Sequence, residues 1–129
     1  MSAYLLDTNV LIRLRDGDPA VSARVGGLEG AILMSVVSRV ELEGGVYRDP
    51  SQTPTRRARL DAILEALPVL AFDAACADAY GRIVESAGYS RRKLLDRMIA
   101  AQAIVHNASV VTQNADDFAD IPALNLLAW

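Results

Sequence analysis

Five short apolar runs, at residues 4–6, 30–34, 68–72, 109–112 and 124–127, punctuate a 129-residue chain whose remaining segments are mostly helical in pattern. Runs this short and this apolar suit strands buried on both faces. Strands that alternate with helices pair in parallel through right-handed crossovers. The chain therefore predicts an α/β fold, a three-layer helix, sheet, helix sandwich with a mainly parallel sheet of about five strands. Residues 1–129 fit a single domain, large enough for one core and too short to divide comfortably.

The first strand runs into Asp7, after which Thr8 and Asn9 open a helix that closes near Arg15. Asp18 then caps a second helix with Pro19 at its first position, ending at about Leu28. A third helix is expected over residues 35–47, a loop over 49–54, and a fourth helix from about Thr55 to Leu67 with Leu60, Ile63, Leu64 and Leu67 on one face. The third and fourth helices are expected to form a protruding hairpin. Asp73 caps a long alanine-rich helix to about Ala87, and the basic loop at Arg91, Arg92 and Lys93 leads into a helix over residues 94–106. A polar turn at residues 113–118, with one short helical turn, precedes the last strand.

Composition narrows the function. No apolar run approaches the roughly 20 residues of a membrane helix, and no basic segment followed by a long apolar one opens the chain. A cytoplasmic protein is expected. Cys76 is the only cysteine, in an apolar helical setting, so it fits a small buried residue and no disulfide framework. The formal net charge of −3 argues against a general nucleic-acid coat. Of the 13 basic residues, however, only Lys93 is lysine, and arginine favours bidentate contact with phosphate or carboxylate. Clusters stand at Arg56, Arg57 and Arg59 and at Arg91, Arg92, Lys93 and Arg97; a solvated surface explains them equally well.

Asp7 follows the first strand and Asn114 with Asp117 follow the fourth, so a parallel sheet brings sequence-distant polar groups to one edge. Each acid alone has a simpler explanation. Asp7 can cap the first helix, Glu41 can close a capping box with Ser38, Asp96 can complement a helix N-terminus, and Asp116 or Asp117 can serve a turn. Together they pose an energetic problem, because two carboxylates about 5 Å apart repel by some 3 kcal/mol at an effective dielectric near 20. Such a cluster needs protons or a cation. His106, the only histidine, lies near a helix end, which disfavours a zinc site and excludes a two-histidine ribonuclease mechanism. An all-oxygen site selects magnesium or manganese, and the matching chemistry is metal-assisted phosphodiester hydrolysis. Gly44 and Gly45 lie in a helical pattern without phosphate-loop spacing, so no nucleotide cofactor is expected.

Four segments resemble the PIN-domain ribonucleases, and more closely the VapC-type toxins of bacterial toxin-antitoxin pairs: Leu6-Asp7-Thr8-Asn9-Val10-Leu11-Ile12, Ser38-Arg39-Val40-Glu41-Leu42-Glu43-Gly44-Gly45-Val46, Asp96-Arg97-Met98-Ile99-Ala100-Ala101, and Val111-Thr112-Gln113-Asn114-Ala115-Asp116-Asp117-Phe118. The resemblance implies that Asp7, Glu41, Asp96 and Asp117 are the catalytic acids holding Mg2+ or Mn2+, with Asp117 preferred to Asp116 by the Thr-x-Asn-x-x-Asp-Phe pattern. It implies supporting roles for Asn9, Thr112 and Asn114. Gln113 replaces what is frequently a basic or small residue, which bears on nearby phosphate contacts. The family also implies a structured RNA substrate such as tRNA, homodimerisation, inhibition by a VapB-like antitoxin, and DNA contact only through that antitoxin.

Two rivals differ in kind. A haloacid-dehalogenase-like phosphatase also begins with an acid after its first strand, but needs a second Asp two residues on, where Asn9 stands. A non-catalytic binding module within an antitoxin complex would use the acids as caps, and would gain little stability from magnesium or manganese.

Overall fold

The computed structural model describes residues 2–129. Its sheet contains β1 (Ala3–Leu6), β2 (Ala31–Ser35), β3 (Val69–Leu70), β4 (Ser109–Thr112) and β5 (Asn125–Ala128), all parallel, in the order β3-β2-β1-β4-β5. The helices are α1 (Thr8–Arg15), α2 (Pro19–Gly26), α3 (Val36–Arg48), α4 (Thr53–Ala66), α5 (Ala74–Ala87) and α6 (Leu94–Val105). Short 3-10 turns occur at Pro50–Gln52 and Ala115–Phe118. None of the described helices is long and apolar enough to cross a membrane.

Side-chain alternation along the central strands divides the core. Leu5 and Val110 pack with Ala79, Ile83, Ile99 and Ala103 of α5 and α6. Leu6 and Val111, one residue on, face Val10, Leu42, Val46, Leu60 and Ile63 of α1, α3 and α4. The predicted three-layer α/β sandwich is the observed one. The third and fourth helices pack on each other within this second core, through Leu42, Val46, Leu60 and Ile63.

The chain builds β1, β2 and β3 outward in one direction and then returns to add β4 and β5 on the other side of β1. The connections that leave β1 and β4 thus diverge. A crevice opens at the carboxyl ends of β1 and β4, the position where open parallel sheets bind ligands.

Two local differences from the sequence expectation have clear causes. The third strand, expected over residues 68–72, is only two residues long. Its carbonyls at Leu70 and Ala71 accept instead from the side-chain amide of Gln102, a fully buried residue of α6. That same side chain accepts from Ser35 Oγ through its own carbonyl oxygen, tying the ends of β2 and β3 to α6. Glu41, secondly, does not close a capping box with Ser38. The cap of α3 is Ser35, whose Oγ accepts from the Val37 amide at 3.0 Å, and Ser38 lies inside the helix.

Candidate functional site

Asp7 stands where β1 gives way to α1, with extended backbone at φ −62° and ψ 153°. Its side chain is both helix cap and crevice residue: Oδ1 accepts from the Thr8 amide at 2.8 Å, and Oδ2 accepts from Thr112 Oγ1 at 2.9 Å. Thr112 ends β4 and is fully buried, and its hydroxyl oxygen also accepts from the Asn114 amide at 2.9 Å. One threonine therefore binds the two strand ends together and shapes the turn that follows. Burial pushes the Asp7 carboxyl above its usual range, more than the Thr112 and Thr8 hydrogen bonds pull it down, and the charge of Asp117 pushes it up further.

Glu41 enters from α3, on the exposed side of the crevice. Its Oε1 accepts from Thr8 Oγ1 at 3.0 Å, and Thr8 Oγ1 lies 2.8 Å from Ser38 Oγ. A hydroxyl has one proton to donate, so Thr8, which donates to Glu41, must accept from Ser38. This relay of two buried hydroxyls orients the glutamate. Thr8 and Ser38 carried no site assignment in the sequence; the available signal was a threonine directly after Asp7 and a serine one helical turn before Glu41.

Asp96 occupies the first turn of α6, where no side chain caps the helix. Burial, and then the negative charges of Asp7, Asp117 and Glu41, push its pKa up to about 6, while Arg92 pulls in the opposite direction. Carboxylates from four separate elements thus share one electrostatic space. Asp117 lies on the 3-10 turn after β4, its amide donating to the Asn114 carbonyl at 3.0 Å. Asp116 is exposed and acts on neither Asp7 nor Asp96, which separates the two neighbours.

Asp7, Thr8, Asn9, Ile12, Glu41, Arg92, Leu95 and Asp96 line a cleft of about 210 Å³. Asn9 and Ile12 also border a neighbouring hollow reaching Arg13, Gln113 and Asn114. On the other side, Ile12 and Glu41 continue into one lined by Arg15, Gly44, Gly45, Arg48 and Arg56. Among the described residues no three His, Cys, Asp or Glu side chains are already drawn together as a metal cage. Bare carboxylates that repel one another have no reason to close up, and Asp96, its pKa raised first by burial and then by the neighbouring negative charges, carries that repulsion. The donors are all oxygen and carry excess negative charge, so the set fits a hard divalent cation.

The expected basic clusters are largely committed elsewhere. Arg97 is buried and paired to Asp120 at 3.1 Å, and Lys93 reaches the same carboxylate at 3.2 Å. Arg57 is held by Glu43 and Asp61, and Arg56 donates to the Gly45 carbonyl at 2.9 Å. Arg92 alone of the second cluster lines the acid cleft. Cys76 is buried in the core and His106 sits at the C-cap of α6, both away from these acids.

A family profile described as PIN domain matches residues 4–124. The chain is 30% identical to ribonuclease VapC2 of Rickettsia felis, over 98% of this chain and 97% of the relative. Among solved structures it is similar to VapBC2 from Rickettsia felis bound to a promoter DNA fragment, with a TM-score of 0.85, 28% identity and 98% of each chain covered. It is also similar in fold to DNA-bound VapBC from Salmonella typhimurium, with a TM-score of 0.84, 23% identity, and coverage of 100% of this chain and 99% of that one.

Proposed function

The chain belongs to the PIN-domain family as a homologue of the VapC ribonucleases, and from that premise we propose that it is an Mg2+- or Mn2+-dependent endoribonuclease, the toxin of a VapBC-like pair, cutting structured RNA such as tRNA. The observation that carries the reading is Asp96, whose carboxyl is pushed up by burial and then by the charges of three other carboxylates across one crevice. Asp7, Glu41, Asp96 and Asp117 would hold the cation. A bound divalent ion supplies a water of lowered pKa and neutralises charge on the scissile phosphodiester.

The remaining residues prepare that chemistry. Thr112 holds Asp7 Oδ2, and Thr8 tethers Glu41 Oε1 beside the cleft, so a cation would need only short side-chain movements to draw them together. Asn9 and Asn114 line the hollow beside the cleft, and their side-chain amides would donate to phosphate or ribose oxygens. Arg92 at the cleft and Arg48 in the hollow beyond Glu41 would offer guanidinium forks to the RNA backbone. The protein would act as a homodimer, held silent by a VapB-like antitoxin, and would meet DNA only through that partner; the promoter-bound VapBC2 complex supports the antitoxin and DNA parts of this reading.

Antitoxin-free protein should cleave RNA with magnesium or manganese, stop on chelation, and fail with Asp7→Asn. Cleavage that survives both changes would overturn the mechanism. Growth arrest on expression that disappears with the same substitution would tie the chemistry to toxicity.

A further inference from the structure

Arg97 directly follows Asp96 on the first turn of α6, yet its side chain turns into the protein and is 1% exposed. Its Nη1 donates to the Gly88 carbonyl at the end of α5. Its Nη2 donates at 3.1 Å to Asp120 Oδ2, in the segment just after the turn that carries Asp117. Phe118 and Ile121, on either side of Asp120, are core residues, so Asp120 is fixed relative to Asp117. One guanidinium thus spans the end of α5, the turn bearing Asp96 and the segment bearing Asp117.

As a pure stabiliser this arrangement is poor. Arg97 Nε is buried without a hydrogen-bond partner among the described residues, and a guanidinium buried against a part-exposed carboxylate recovers little of its desolvation cost. Nor does Arg97 neutralise the acid cluster, because the cation acting on Asp96 is Arg92. What Arg97 does supply is a fixed distance between two turns whose carboxylates repel.

We infer that Arg97, paired with Asp120, is a positioning residue that holds the Asp96 and Asp117 turns at the separation a shared divalent cation requires. The inference rests on the reading of Asp96 and Asp117 as metal ligands. Mn2+ titration calorimetry on folded wild type, Arg97→Met, Asp120→Ala and Asp96→Asn, with melting curves of the metal-free proteins, tests it. Arg97→Met and Asp120→Ala should each bind Mn2+ about tenfold more weakly, in the range of outer-shell losses at metal sites. Their kcat should fall while KM for RNA holds. Arg97→Lys, which keeps the charge but loses the fork, should lie between.

If both variants bind Mn2+ as tightly as wild type, whatever their melting temperatures, the brace is only structural and the inference fails. Should Arg97→Met not fold, Asp120→Ala decides alone, since its carboxylate lies at the surface. Asp96→Asn separates the two claims. Undiminished Mn2+ binding there would remove the ligand reading itself, whereas lost binding there with unchanged Arg97→Met and Asp120→Ala would remove only the brace.

Discussion

Asp7 carries two loads: it caps α1 through Oδ1 and presents Oδ2 to Thr112 at the crevice. The capping and site readings of this residue are therefore compatible, and a sequence alone offers no way to see that both oxygens are used. Thr112→Val would leave Asp7 Oδ2 and the Asn114 amide without their partner, costing about 1–3 kcal/mol in denaturant unfolding and slowing RNA cleavage. Asp96 makes a pH prediction. Burial and the neighbouring carboxylates push its carboxyl up to about 6, above the ordinary aspartate range, so the native state holds the proton to higher pH than the unfolded chain. In metal-free protein its contribution favours folding on the acid side and is lost as pH rises through that window. Urea unfolding of wild type minus Asp96→Asn, measured from pH 4 to pH 7, should show that decline. Asp7 and Asp117 were legible because each follows a strand end, whereas Glu41 and Asp96, on helices, were singled out by the family resemblance; the Thr8 and Ser38 hydroxyls were not legible, because their use depends on α1 and α3 meeting in space.

Elements were legible where local chemistry sets them. Asp18 with Pro19 starts α2, and Asp73 caps α5 through the Cys76 amide at 3.0 Å. They were misread where a distant group intervenes, as when Gln102 of α6 takes the carbonyls that would have lengthened β3. Gln102→Leu should accordingly speed amide exchange around β3 more than around β1 or β4. The entry to β2 is equally demanding: Gly30 has φ +149°, and a Cβ there would meet the Ser2 carbonyl oxygen at 2.3 Å. Gly30→Ala should cost more than about 1 kcal/mol by thermal unfolding, since the backbone conformation and the space both exclude a methyl group.

At the scale of the molecule, the alternation of apolar runs with helices was enough to read a parallel three-layer sandwich, but not the order in which its strands lie. That order, β3-β2-β1-β4-β5, opens a crevice at the carboxyl ends of β1 and β4 and explains why Asp7 and Thr112 touch across 105 residues of sequence. Net charge was a poor guide to the arginines, because salt bridges such as Arg57 with Glu43 and Arg97 with Asp120 withdraw them from any substrate. Binding of a cation by the native state alone should raise stability by about 2.7 kcal/mol at a concentration 100 times its Kd. Melting curves with Mn2+ should show that gain in wild type and Asp116→Asn, and little of it in Asp7→Asn or Asp117→Asn. The most direct measurement is an anomalous difference map from crystals of the protein grown with Mn2+. A peak at about 2.1 Å from carboxylate oxygens of Asp7 and Asp96, with Glu41 and Asp117 turned toward it, is the expected result. A fully loaded crystal whose only peaks lie away from these residues, or on Asp116 in place of Asp117, would contradict the metal centre.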